Sequence, residues 1–173
     1  MPKLDHKKPV PVERRIFSTN LRAARHYAGL TLHQVVDITT ITASFISNVE
    51  NGNHNVSILS MAQLSQAVQV PLYALLNPSY KPESFNRSEW ETYAQLIQAA
   101  RPEVLELQLL AEKPRYYRKL ANLTQAQVDQ FAGFRDKTTS DIERHTGNMS
   151  LDVIAPLAPV LGIPFYKLFS PNS

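Results

Sequence analysis

Apolar positions fall into short helical stripes separated by regularly placed capping residues. Ile16, Asn20, Leu21, Ala24 and Tyr27 lie on one helical face and predict a helix over 14–28 that Gly29 ends. Thr31 caps a short helix over 32–38. The run Thr39, Thr40, Ile41, Thr42 is poor helix material and ends in a hydroxyl suited to cap the next helix, 43–51, which stops at Asn51-Gly52. Ser57 caps a fourth, 58–69, and Pro71 opens a fifth as an N1 proline. The same punctuation returns later in the chain. It predicts helices over 103–121, interrupted at Pro114, then 125–132, 136–144, 151–161 and 164–169. Pro156 and Pro159 fall inside 151–161, where an interior proline costs about 3 kcal/mol, so that helix is expected to kink or to start late. Between the two sets, Asn77-Pro78-Ser79-Tyr80-Lys81-Pro82 reads as linker. Ser88 with Glu91 then forms a capping box for a helix over 89–100, with Trp90, Tyr93, Leu96 and Ile97 on one stripe.

The recurrence is an internal repeat at an offset of 93. Sliding residues 21–78 onto 114–171 without a gap makes 17 of 58 positions identical. The matches include Arg22 and Arg115, Arg25 and Arg118, Thr31 and Thr124, Ser47 and Ser140, Glu50 and Glu143, Asn55 and Asn148, Ser57 and Ser150, and Pro71 and Pro164. The expected fold is all-α: two tandem five-helix units joined by a linker helix. The expected boundaries are a flexible basic arm over 1–13, a first unit over 14–78, a linker with its helix over 79–101, and a second unit over 102–171.

Composition narrows the function. Of 173 residues, 43% are hydrophobic and 19% charged, enough apolar material for a core and too little charge for a disordered chain. No cysteine is present, which excludes a disulfide scaffold, a thiol nucleophile and a thiolate zinc site. Five glycines leave little for phosphate-binding loops. The net charge is +3, and Lys3, Lys7, Lys8, Arg14 and Arg15 crowd the first fifteen residues. No stretch reads as a signal peptide or a membrane span, so a cytoplasmic location is expected. No HExxH, GxSxG or Walker pattern occurs, and no two histidines stand at metal-ligand spacing; no enzyme activity and no cofactor are expected.

Two short helices joined by a tight turn, the second led by small polar side chains, fit a helix-turn-helix. The string Leu30-Thr31, Val35-Val36, Ile41-Thr42, Ile46-Ser47, Val49-Glu50-Asn51-Gly52, Ser57 and Leu75-Leu76 resembles the Xre family of phage-repressor-like DNA-binding domains. Leu123-Thr124-Gln125, Ile142-Glu143 and Ser150 match it a second time. Departures are Leu32 and Thr40, where the family has Gln and Gly, and Thr139, where it has a buried aliphatic residue. The resemblance implies a structural ion pair of Arg25 with Glu50, and of Arg118 with Glu143.

Within 43–51, helical spacing turns Ile46 and Val49 inward with Ile38 and Ile41, leaving Ala43, Ser44, Ser47 and Asn48 outside. Asn48 can bridge N6 and N7 of adenine, Ser44 can bond several base edges, and the Ala43 methyl can meet a thymine methyl. Thr42, Asn51, Asn53, His54, Asn55 and Arg22 are candidate phosphate or flanking contacts, aided by helix amides near Thr31 and Ser57. The corresponding face of the second unit offers Asp136, Lys137, Ser140 and Asp141, with Gln125, Arg135, Arg144 and His145 nearby. Aspartate accepts only from cytosine N4 and otherwise repels phosphate, so specificity is expected to rest on the first unit.

The expected function is a sequence-specific double-stranded DNA-binding transcriptional regulator, a repressor acting by operator occupancy. The rival expectation is an antitoxin-like or anti-activator protein whose second unit holds a protein partner. The apolar fifth helices (Leu72, Tyr73, Leu75, Leu76; Phe165, Tyr166, Leu168, Phe169) and the Trp90 stripe suggest a homodimer, although the linker is long enough for the two units to pair within one chain.

Overall fold

A computed structural model describes residues 10–100, 105–144 and 147–171, and the arm residues 1–9 and His145 lie outside it. Among the described residues the elements are helical, apart from one isolated antiparallel bridge between Ser57 and Ser150. The all-α expectation holds. The first half comprises α1 (Val12–Tyr27), α2 (Leu32–Ile38), α3 (Ala43–Glu50), α4 (Ile58–Val68) and α5 (Leu72–Leu75). A 3₁₀ turn, Pro82–Ser84, and α6 (Arg87–Ala100) follow. The second half comprises α7 (Leu105–Leu120), α8 (Gln125–Ala132), α9 (Thr138–Glu143), α10 (Leu151–Ile154), α11 (Leu157–Leu161) and a 3₁₀ helix, Phe165–Phe169.

Repeated residues perform repeated local tasks. Thr31 and Thr124 each accept the backbone N–H three residues on, and Gln34 and Gln127 each return a side-chain oxygen to the cap N–H at 2.8 Å. Arg25 and Arg118 each donate to the carbonyl that follows their helix, Leu30 at 2.8 Å and Leu123 at 2.9 Å. The turn between the second and third helices is where the halves part. In the second half Gly133 takes the left-handed conformation at φ 66°, open to glycine at no steric cost. In the first half Thr40 stands there, and the neighbouring Thr39 hydroxyl closes the turn instead, donating to the Val35 carbonyl at 2.8 Å and accepting the Ile41 N–H at 3.2 Å.

The halves share one continuous apolar core running from Phe17, Leu21, Ile46 and Leu64 through Leu72 and Leu75 to Ile142, Leu157, Leu168 and Phe169. Their seam is reciprocal. Ile58 donates to the Met149 carbonyl at 2.9 Å and Leu151 to the Val56 carbonyl at 2.8 Å, bonds that interchange when the halves are exchanged. The Asn148 side chain accepts the Leu59 N–H, and the Asn55 side chain accepts the Asp152 N–H. The α5 segment packs against Phe165–Phe169, α4 against α7, and α1 against α10.

Several boundaries differ from expectation for identifiable reasons. The first helix begins at Val12 behind Pro11, two residues earlier than expected, so Val12 and Glu13 belong to α1 and not to an arm; Arg14 ion-pairs with Asp152 across the seam. Asn86, not Ser88, starts α6, its side chain accepting the Ser88 N–H at 3.0 Å. Pro114 does not interrupt α7, which runs through it. Pro156 splits the expected 151–161 helix into α10 and α11, and Pro71 caps α5 from outside it. The fifth-helix apolar side chains on which a homodimer was expected are engaged inside the chain: Leu72, Leu75 and Leu168 are fully buried.

Candidate nucleic-acid interface

The third helix of the first half is fixed from beneath. Thr42 sits at its N-cap and accepts the Phe45 N–H at 3.3 Å, while Ile46 and Val49 are buried in the core. Glu50 is buried at its C-terminal end and meets Arg25 in a two-pronged ion pair, Nε to Oε1 at 2.6 Å and Nη2 to Oε2 at 2.8 Å. The Glu50 hydrogen bonds raise the Arg25 pKa above its ordinary value against the opposing effect of burial. Arg22 reaches the same carboxylate more loosely, at 3.8 Å, and keeps about half of its side chain in solvent (53%). Phe45 is half-buried and stands edge-on to His54, ring centroids 4.7 Å apart.

With one flank fixed, the other is bare. Ser44 and Asn48 are exposed one turn apart, and Ala43 and Ser47 are half-exposed beside them. Thr42, Asn51, Asn53 and His54 are exposed at the two ends of the helix. Asn55 is not part of this surface in function: its amide donates to Ser150 Oγ at 2.9 Å and its oxygen serves Asp152, so it stitches the seam. The helix end at Ser57 is likewise committed to the seam through the bridge to Ser150. Ile38, expected inside, is 58% exposed and lines a groove with Thr39, Thr40, Leu59 and Trp90.

The second half keeps the frame and changes the face. Arg118 grips Glu143 with Nε at 2.6 Å and Nη2 at 2.9 Å, and Arg115 approaches at 3.5 Å, so the expected ion pairs are present in both halves. Gln125, a candidate DNA contact, instead donates to Glu143 at 2.7 Å. Burial pushes the Glu143 carboxyl upward, but the hydrogen bonds from Arg118 and Gln125 and the nearby guanidinium charges carry it below the ordinary carboxylate range.

The expected 136–144 helix starts only at Thr138. Lys137 precedes it in the left-handed conformation at φ 70°, and Asp136 lies outside the helix. The cause is a buried polar pair: the Asp129 carboxylate accepts the Thr139 N–H at 2.7 Å and the Thr139 hydroxyl at 2.5 Å. Offset by 93, these positions are Val36 and Ile46, both apolar in the first half, with Ile46 in the core and Val36 packed against it. Ser140, expected on the outer face, is buried. Of the second-half candidates, Arg135, Asp136, Lys137, Asp141 and Arg144 remain exposed.

The polar pair Asp129–Thr139 was missed by sequence reasoning, although an Asp opposite a Thr where the repeat carries Val and Ile is a readable signal. The cationic groove of the second half was also missed. It is about 570 Å³, lined by Arg115, Tyr116, Lys119 and Arg144 together with Ala111, Glu112 and Glu143. Among the described residues no group of three His, Cys, Asp or Glu side chains is placed to hold a metal ion, and no helix is long and apolar enough to cross a membrane. No family model, curated protein or solved structure matches the chain.

Proposed function

We propose that the chain is a sequence-specific double-stranded DNA-binding regulator built as two tandem repressor-like helix-turn-helix domains, acting by occupying an operator. The observation that carries this reading is α3: eight residues whose inward side is locked by Ile46, Val49 and the Arg25–Glu50 pair, while Ser44 and Asn48 face solvent one turn apart. A helix held this rigidly with short polar side chains on its free face suits insertion into a major groove, where Asn bridges adenine and Ser takes either a donor or an acceptor. Arg22 beside it, and Asn51, Asn53 and His54 after it, would bond flanking phosphates. No step of this function needs bond chemistry, so occupancy itself is the mechanism. A second reading, in which the second half binds a protein, draws on Tyr116, Leu120 and Phe131, which expose 55%, 68% and 59% of their surface.

The test is enrichment of duplexes from a random pool, followed by titration of the enriched duplex against wild type and Asn48→Ala. Removing one bidentate base interaction is expected to cost about 1–3 kcal/mol and to relax discrimination at one adenine, leaving salt-sensitive binding to other sequences. A pool that shows no enrichment, or an Asn48→Ala protein with unaltered preference, contradicts the reading.

A further inference from the structure

We infer that a single chain carries both arms of the DNA-binding unit and takes a non-palindromic duplex site, one half read at its bases and the other gripped through its phosphates. This rests on the base-reading assignment of α3.

The first support is the seam. In a homodimer the two-fold axis relates identical surfaces, and the DNA site acquires matching half-sites. Here the exchange axis lies inside one chain. The Ser57–Ser150 bridge, the paired bonds of Ile58 with Met149 and of Leu151 with Val56, and the crossed Asn55 and Asn148 side chains are all interchanged by it. The apolar α5 and Phe165–Phe169 surfaces meet across the same seam and share one core. The seam holds the third helices at a bounded separation. From Glu50 to Ser57 and from Glu143 to Ser150 the chain takes seven steps, each at most about 3.4 Å, so with roughly 5 Å across the bridge the two helix ends stand within about 53 Å of each other. The half-site repeat of about 34 Å falls within that reach.

The second support is the inequality of the faces that the axis relates. Positions Ala43, Ser44 and Asn48 of the first half become Asp136, Lys137 and Asp141 in the second, and α9 begins two residues later than α3. Ser47 is half-exposed, whereas its counterpart Ser140 is buried. The asparagine and the exposed and half-exposed serines of the first face are thereby absent from the second, whose two aspartates accept only from cytosine N4. Phosphate-binding groups stand in their place: the groove beside α9 carries Arg115, Lys119 and Arg144, where the first half has Arg22, His26 and Asn51. All three side chains are in exposed residues, and Arg135 adds a fourth cation where the first half has Thr42. The Glu143 carboxylate in the groove wall is already held by Arg118 and Gln125 and by Arg115 at 3.5 Å, whose Nη2 also donates to the Glu143 carbonyl at 2.7 Å, so Lys119 and Arg144 are the cations set against phosphate; Glu112 accepts from Gln108 at 3.0 Å. A guanidinium and an ammonium flanking a concave site suit two phosphate oxygens of a passing strand and carry no base preference.

The experiment is sedimentation equilibrium of the intact chain with its enriched duplex, paired with salt titrations of wild type and of Lys119→Ala/Arg144→Ala. One 19.5 kDa chain per duplex is expected. The double variant is expected to keep its base preference while the slope of log K against log salt shrinks by about 2, one for each phosphate that is no longer neutralised. Both substituted side chains are exposed, and an unchanged thermal midpoint checks that the fold is intact. Two chains per duplex on a palindromic site, or a salt slope equal to wild type in a folded variant, overturns the inference. Single-chain binding that responds to the double variant but ignores base sequence leaves the grip standing and overturns the base reading instead.

Discussion

The two halves of this chain keep the same scaffold and present different surfaces. Both set their second helix with a Thr–Gln capping box, both turn out of their first helix through a left-handed residue, Gly29 or Asn122, and both tie their first helix to their third with an Arg–Glu pair at 2.6 Å. The third helices diverge: eight residues with apolar Val36 and Ile46 in or against the core beneath in one, six residues over a buried Asp129–Thr139 pair in the other. Buried ion pairs and caps fail together when one partner changes, so a duplicated chain retains them. Exposed positions carry no such penalty and are free to take on different partners.

The comparison can be strained first at the ion pairs. Arg25→Met leaves Glu50 buried with only Arg22 at 3.8 Å and is expected to cost about 3–5 kcal/mol in urea unfolding followed through Trp90, the single tryptophan. Arg118→Met is expected to cost less by about 1 kcal/mol, because Gln125 at 2.7 Å still serves Glu143. Glu143 titrates below its ordinary value, so its contribution is complete above about pH 4.5 and is lost as pH falls through the lower folded value. Arg118→Met should therefore show a weaker fall in stability on acidification than wild type; an identical pH profile would contradict the assignment.

A double-mutant cycle at Asp129 and Thr139 sharpens the difference between the halves. Thr139→Ile removes the hydroxyl and leaves the buried Asp129 carboxylate with the backbone N–H of position 139 alone, for an expected loss of about 1–3 kcal/mol. Asp129→Val strands the hydroxyl and is expected to cost a similar amount. The pair Asp129→Val/Thr139→Ile copies Val36 and Ile46 and is expected to return stability to within about 1 kcal/mol of wild type, the coupling being the measured quantity. Additive losses would mean that the second half no longer accepts the apolar solution.

The smallest effect lies at α6, the linker helix that stands outside the repeat. Tyr93 donates to Glu106 Oε1 at 2.6 Å, both residues buried, while Glu106 Oε2 has no hydrogen-bond partner. Burial pushes the Glu106 carboxyl above its ordinary 4.5, opposed by the Tyr93 hydroxyl. A raised folded value contributes stability that is complete below about pH 4.5 and is lost as pH rises through it. Glu106→Gln is expected to flatten this part of the pH profile without altering DNA binding; a profile as steep as wild type contradicts it.

The gapless repeat made the helical order readable in advance, because capping hydroxyls, turn residues and buried ion-pair partners recur at fixed offsets. Boundaries at α6 and α9 were not readable by the same rule: Asn86 displaced Ser88 as the start of α6, and the Asp129–Thr139 bond reset the start of α9. The exposed face of α3 followed from helical periodicity alone, as Ser44 and Asn48 show. The seam did not, since Asn55 and Ser57 look like surface groups until their counterparts Asn148 and Ser150 are brought against them. Pairing of the halves is a long-range packing outcome, and the repeat is compatible with pairing either within or between chains.

The most direct measurement is a complete base-substitution profile of the enriched duplex, every position changed in turn and the affinity of the intact chain recorded. Discrimination of about 1–3 kcal/mol is expected at several positions of one half-site, including an adenine whose preference disappears in Asn48→Ala, with near-uniform affinity across the other half. A profile with equal, mirror-related discrimination in both halves would contradict a chain in which one arm reads and the other holds.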